Sequence, residues 1–264
     1  MYSFEYTRPA DRAAAAAAFK GDARYLAGGQ SLVQAMKLRL SSSDTLVDLG
    51  GVADLKGIKV DADKVTVGAM CTHAGVASSA DVKKAIAALA ELAGGIGDPM
   101  VRNMGTIGGS IANADPAACY PAALLGLGAT VQTDKRQIAA ADFFTGLYET
   151  ALQPGELVVS VSFPVPQKAA YVKYKQPASR FALVGVFVAQ TRDGVRVAVT
   201  GAKSHVFRCK ELEAALTQDF TAAAAKSVKV PADDINADLH GSAAYRAAMI
   251  SVMASRAVAA ALAR

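Results

Sequence analysis

The stretch from Arg102 to Pro116, RNMGTIGGSIANADP, constrains this chain more than any other. Gly105, Gly108 and Gly109 crowd together there, interleaved with Thr106, Ser110 and Asn113. Glycine lets a backbone approach a ligand with no Cβ in the way, and hydroxyl or amide side chains beside it suit phosphate oxygens. The Ala-rich run after it, Ala117 to Val131, reads as a helix whose N-terminal end faces the loop, an arrangement that favours an anion. A shorter version lies upstream, Leu26 to Leu32, LAGGQSL. There Arg24 to Ala27 reads as a strand and Leu32 to Leu40 as a helix, so Gly28-Gly29-Gln30-Ser31 has a strand–loop–helix context. Two such loops in one chain point to an extended ligand with a diphosphate. Neither loop is G-x-G-x-x-G or G-x-x-x-x-G-K-[ST], so a Rossmann fold and a P-loop are not supported.

The rest of the chain reads as α+β with largely antiparallel pairing. Thr45 to Leu49 is a strand, and Ile58–Val60 with Lys64–Val67 is a hairpin around Asp61–Asp63. Thr72 and the Ser78–Asp81 segment mark helix starts, and Val82 to Ala93 continues as helix to Gly94-Gly95. Ala129 to Thr133, Gln137-Ile138 and Leu157 to Phe163 are strands. Pro164 and Pro166 then punctuate a change of composition, the best domain boundary in the chain. Beyond it come a strand at Tyr171–Tyr174, a hairpin about Asp193-Gly194, and helices ending in the amphipathic Ala243–Ala263.

Several classes of chemistry are not supported. The net charge of +5 is spread as single residues without a basic block, and tryptophan is absent, a poor match to stacking nucleic-acid binders. Cys71, Cys119 and Cys209 are far apart, with no C-x-x-C pair for zinc or iron–sulfur, and their sparseness fits a reducing compartment. No signal peptide or membrane span is read, so the expected location is cytoplasmic. His73, His205 and His240 lack a carboxylate or serine at motif spacing and are expected to carry no chemistry. Cys119 reads as a small packed hydrophobe, an activated thiol near a helix start being the other reading. Asp98, Asp115 and Arg102 either tie down the glycine loop or touch the ligand. Lys175 and Arg180, across the boundary, are candidates to meet its acidic portion.

LAGGQSL together with GDPMVRNMGTIGGSIANADPAACYPAALLGLGA resembles the FAD-binding medium subunit of the molybdenum hydroxylases, the xanthine dehydrogenase and aerobic carbon monoxide dehydrogenase group. The likeness runs end to end, through SFEYTRP, Val47–Leu49, Gly68–Met70, ELVVSVSFP and HGSAAYR at His240–Arg246. It implies a two-lobed FAD-binding domain of the PCMH type over residues 1–165, with lobes of about 1–55 and 56–165. A small C-terminal domain with an antiparallel sheet and helices would follow over 168–264.

By the same resemblance, Ala27, Gly28, Gly29, Gln30 and Ser31, with Thr106, Ile107, Gly108, Gly109 and Ser110, would hold the FAD diphosphate and ribityl through backbone amides and hydroxyls. Leu32 would border the flavin, Ile96 would cover the adenine, and Val158, Lys175 and Phe181 would complete the site. Many members carry an aspartate where this chain has Cys119; a thiol is a poor acceptor, so that contact is weakened or supplied by another group. The implied partners are a large molybdenum-cofactor subunit and a small subunit with two 2Fe-2S clusters, assembled as a dimer of heterotrimers. Electrons would arrive singly from the clusters, collect on FAD, and leave to NAD, oxygen or a quinone, with no catalytic side chain or metal in this chain. A stand-alone FAD-dependent oxidoreductase or a non-catalytic nucleotide-binding module are the alternatives.

Overall fold

In the computed structural model, which describes residues 1–264, the first glycine loop grows out of a small parallel sheet. Strand β1 (Glu5–Thr7), helix α1 (Arg12–Ala18), β2 (Ala23–Leu26), α2 (Leu32–Lys37) and β3 (Thr45–Asp48) give the strand order β1-β3-β2, both pairs parallel. This departs from the antiparallel expectation. Parallel neighbours need a crossover, and the α2 segment supplies it between β2 and β3. Ala15, Val47, Leu49 and Leu157 form the small core beneath.

The second sheet is antiparallel. Its strands β4 (Ile58–Val60) and β5 (Lys64–Gly68) form the expected hairpin. Six helices follow: α3 (His73–Ser78), α4 (Ala80–Ala85), α5 (Ala87–Gly94), α6 (Pro99–Met104), α7 (Ile107–Asn113) and α8 (Tyr120–Leu127). Thr72 and Ser79 cap α3 and α4 with their side-chain oxygens. The single helix expected over Val82–Ala93 is broken at Ile86, whose φ of −141° ends α4 while its side chain stays buried.

Strands β6 (Thr130–Thr133) and β7 (Gln137–Ala139), helix α9 (Ala140–Phe143), the small hairpin β8 (Phe144–Gly146) and β9 (Glu149–Thr150), and β10 (Val158–Pro164) finish this half. The sheet order is β4-β5-β10-β6-β7. Between β6 and β10, Glu156 is buried on Arg136 (2.9 Å) and the Thr133 hydroxyl (2.7 Å). These contacts, Arg136 first, hold its carboxyl down at about 2.

The C-terminal sheet runs β11 (Lys168–Lys175), β12 (Ala182–Thr191), β13 (Gly194–Thr200) and β14 (Phe207–Arg208), each antiparallel to the next. Helices α10 (Lys210–Gln218), α11 (Ala222–Ser227) and α12 (Ala243–Leu262) follow. β12 is buried over Ala182–Ala189, which is why it reads as an unbroken apolar run. On one side Val184, Val186 and Val188 meet Ile250, Ala254 and Ala257 of α12. On the other, Phe187 and Ala189 share a core with Leu124 of α8 and Val131 of β6. The Pro164–Pro166 break therefore separates sheets along the chain, while one core continues across it. α8 comes so close to β12 that a Cβ on Gly126 would lie 2.6 Å from the Phe187 ring.

Candidate functional site

The parallel sheet, the α6–α8 segment and the C-terminal sheet enclose a cleft of about 390 Å³. Its first wall is the loop leaving β2. Gly28 lies directly on the second glycine stretch: a Cβ there would sit 2.1 Å from the Met104 carbonyl oxygen, so only glycine permits the contact. Gly29 follows at φ +70°, and its carbonyl accepts Val33 N–H to open α2. The backbone N–H groups of Gly28, Gly29, Gln30 and Ser31 have no partner within the chain. Backbone donors are rarely left so, and four in succession at a cleft form a ready anion cradle.

The second glycine stretch is built differently. It is the first turn of α7 rather than a loop, with Thr106 as N-cap. Its amides are already bonded: Ile107 to Cys71 O (3.1 Å), Gly108 to Ala69 O (2.8 Å), Gly109 to the Thr106 hydroxyl (3.1 Å) and Ser110 to Thr106 O (3.0 Å). Gly108 faces inward, where a Cβ would meet Ala69 Cβ at 2.6 Å. What this stretch turns to the cleft is side chains. Ser110 and Asn113 line it, and neither side chain has a hydrogen-bond partner within the chain. The helix expected over Ala117–Val131 is confined to α8, which Gly128 ends in the left-handed conformation, φ +66°.

Asp98 and Arg102 tie down the backbone. Asp98 caps α6 through Val101 N–H (2.9 Å), and the Arg102 guanidinium donates to Ile96 O (2.9 Å) and Gly97 O (3.0 Å). Asp115 does line the cleft; burial raises its carboxyl above the usual range, although it accepts Ala117 N–H. The connector after it is pinned to the C-terminal sheet, Gly201 N–H donating to Pro116 O at 2.8 Å. That sheet supplies the last wall, with Lys173, Ser179, Arg180 and Phe181. Arg180 reaches across to Gly97 O (3.3 Å).

The expected site residues Ala27 to Leu32, Ile96, Thr106, Gly109, Ser110 and Phe181 are brought together along this cleft. Ile107, Gly108, Val158 and Lys175 are not. Ile107 and Gly108 point into the core, and Val158 is buried in β10. Lys175 is exposed at the end of β11, and Lys173 takes the place at the cleft wall. The pairing also changes at Lys175, where Leu183 of β12 is left unpaired between Val184 and Ala182. Lys173 Nζ donates to Cys119 Sγ at 3.2 Å.

His73 is the other residue that spacing did not single out. It starts α3, its ring lies against Gly105, and it lines the cleft. Burial, and then the nearby Arg102 charge, lowers its pKa to about 4, so the ring is neutral at physiological pH. The charged side chains on the cleft are Arg24, Lys173 and Arg180 against Asp115, a balance that favours an anion.

Residues 2–166 match the family described as the FAD binding domain in molybdopterin dehydrogenase. The chain belongs to this family. It is a flavoprotein component of an oxidoreductase, of the medium-subunit type, and its cofactor is FAD. It is 35% identical to the carbon monoxide dehydrogenase medium chain of Afipia carboxidovorans, covering 99% of this chain and 98% of that one. The nicotine 6-hydroxylase medium subunit of Paenarthrobacter nicotinovorans is 33% identical over 90% of this chain and 89% of its own length. Among solved structures, carbon monoxide dehydrogenase from Hydrogenophaga pseudoflava superposes with a TM-score of 0.88 at 35% identity, covering 98% of this chain and 97% of that one. The PCMH-type fold with antiparallel sheets and helices accords with that likeness. No helix is long and apolar enough to cross a membrane.

Proposed function

We propose that the cleft holds FAD with its diphosphate on the Gly28–Ser31 amides, and that the chain passes electrons from a 2Fe-2S partner subunit to a terminal acceptor. The observation that carries this reading is the run of four unpartnered amides in a cleft that Ser110, Arg24, Lys173 and Arg180 also line. Cations and oriented amides together suit a doubly charged diphosphate. Ala27, Gly109 and Thr106 shape the cradle, while Ser31, Ser110 and Asn113 take hydroxyls or phosphate oxygens. Leu32, Ile96 and Phe181 supply the apolar surface that covers the rings. Bound FAD supplies the redox chemistry, exchanging one or two electrons. The chain's own residues bind it, orient it and exclude water from it.

Its partners in this reading are a large molybdenum-cofactor subunit and a small 2Fe-2S subunit, in a dimer of heterotrimers in the cytoplasm, and the relatives' description as medium chains supports the multi-subunit part of it. Relatives of similar identity serve carbon monoxide and nicotine, so the substrate belongs to the partner that carries molybdenum. Co-expression with the neighbouring subunits and purification through a tag on this chain tests the reading. The expected result is a yellow complex that releases one FAD per chain on denaturation and whose flavin is reduced on adding the complex's substrate. A colourless chain that ignores added FAD overturns it.

A further inference from the structure

Two neighbouring rings behind the second glycine stretch each hold a polar atom with nowhere to bond. His73 is 5% exposed and its Nδ1 is enclosed without a partner; Tyr120 is fully buried and its hydroxyl is likewise unpartnered. Their ring centroids lie 5.4 Å apart at 45°. Interior polar groups are almost always bonded, so two orphans on adjacent rings call for a common account. The other end of the His73 ring faces the cleft: Nε2 lies where a Cβ on Gly105 would come within 2.6 Å, and both residues line the cavity.

The protons can be assigned. Burial keeps the Tyr120 phenol protonated by raising its pKa, and burial keeps His73 neutral. A neutral imidazole has one donor and one acceptor nitrogen, and the bond made by one nitrogen decides the role of the other. We propose that the Tyr120 hydroxyl donates to one buried water that in turn donates to His73 Nδ1, and that His73 Nε2–H is thereby presented as a neutral donor to an oxygen of the bound cofactor. This rests on the reading of the cleft as the FAD site. It gives the site a donor without charge, distinct in kind from Lys173 and Arg180.

The test has one arm without FAD and one with it. In the apo chain, nitrogen-15 NMR of His73 at pH 7 is expected to show the neutral Nε2–H tautomer, shifted toward Nδ1–H in Tyr120→Phe. By flavin fluorescence, His73→Gln, which keeps an N–H, is expected to bind FAD within about threefold of wild type. His73→Leu is expected to bind about tenfold more weakly, with an unchanged dependence on salt. An Nδ1–H ring in the wild-type apo chain overturns the proposal, as does FAD affinity unaltered in His73→Leu. A wild-type chain that takes no FAD overturns the site reading instead, and that result is read from the wild type alone.

Discussion

The two glycine stretches look alike in sequence and do different work in the fold. Gly28–Ser31 keeps its amides free and rests its backbone on Met104 at Gly28. Ile107–Ser110 has its amides bonded to Ala69, Cys71 and Thr106, and offers side chains to the cleft. One is a cradle and the other is the frame that holds it in place. A glycine that lets a ligand approach and a glycine that lets a helix pack are identical in the sequence, and only their hydrogen bonds separate them.

That contrast breaks most visibly at Gly28. Gly28→Val would drive a side chain into the Met104 carbonyl, and we expect the purified chain to lose its flavin altogether. Retention of a full flavin spectrum would contradict the role given to this loop.

The frame should instead fail in acid. His73 packs on Gly105 and has a folded pKa of about 4, below its ordinary 6.5, so the unfolded chain binds its proton first as pH falls. Stability contributed by the neutral ring is complete above pH 6.5 and falls between 6.5 and 4, by about 3 kcal/mol in all. Urea unfolding of the wild type and His73→Gln at pH 7 and pH 4.5 should show the larger loss in the wild type. Equal losses would remove His73 from the account.

Gly108 gives the matching test of the second stretch. A Cβ 2.6 Å from Ala69 overpacks the α7–β5 junction, so Gly108→Ala should cost about 2 kcal/mol in apo-chain stability. FAD affinity, measured where the variant is folded, should change little. The smallest effect distinguishes two lysines. Lys173→Met should weaken FAD binding about tenfold, less so at high salt, whereas Lys175→Met should leave it unchanged. Equal effects of the two would contradict the placement of Lys173, and not Lys175, at the cleft wall.

Much of this fold was legible because local signals agreed. Thr72 and Ser79 do cap helices, and the Asp193-Gly194 hairpin forms with the expected pairing. What escaped the sequence has physical causes. α7 was hidden because glycine is a poor helix former, and here tertiary bonds to Ala69 and Cys71 hold its first turn. The parallel pairing of β1, β2 and β3 depends on a crossover that no single strand encodes. Lys175 was expected at the site through the resemblance, whereas the lysine that lines the cleft is Lys173, two residues earlier on the same strand, and nothing in the composition separates the two. His73 joined the cleft through α3, far in sequence from either glycine stretch, so no spacing could have shown it.

Amide hydrogen exchange across a titration with FAD tests the central claim most directly, because it reads the backbone donors themselves. We expect the amides of Gly28 to Ser31 to exchange freely in the apo chain and to become protected as FAD binds. Those of Ile107 to Gly109 should be protected already and change little. Protection gained at Ile107 to Gly109 while Gly28 to Ser31 stay open would contradict the assignment of cradle and frame.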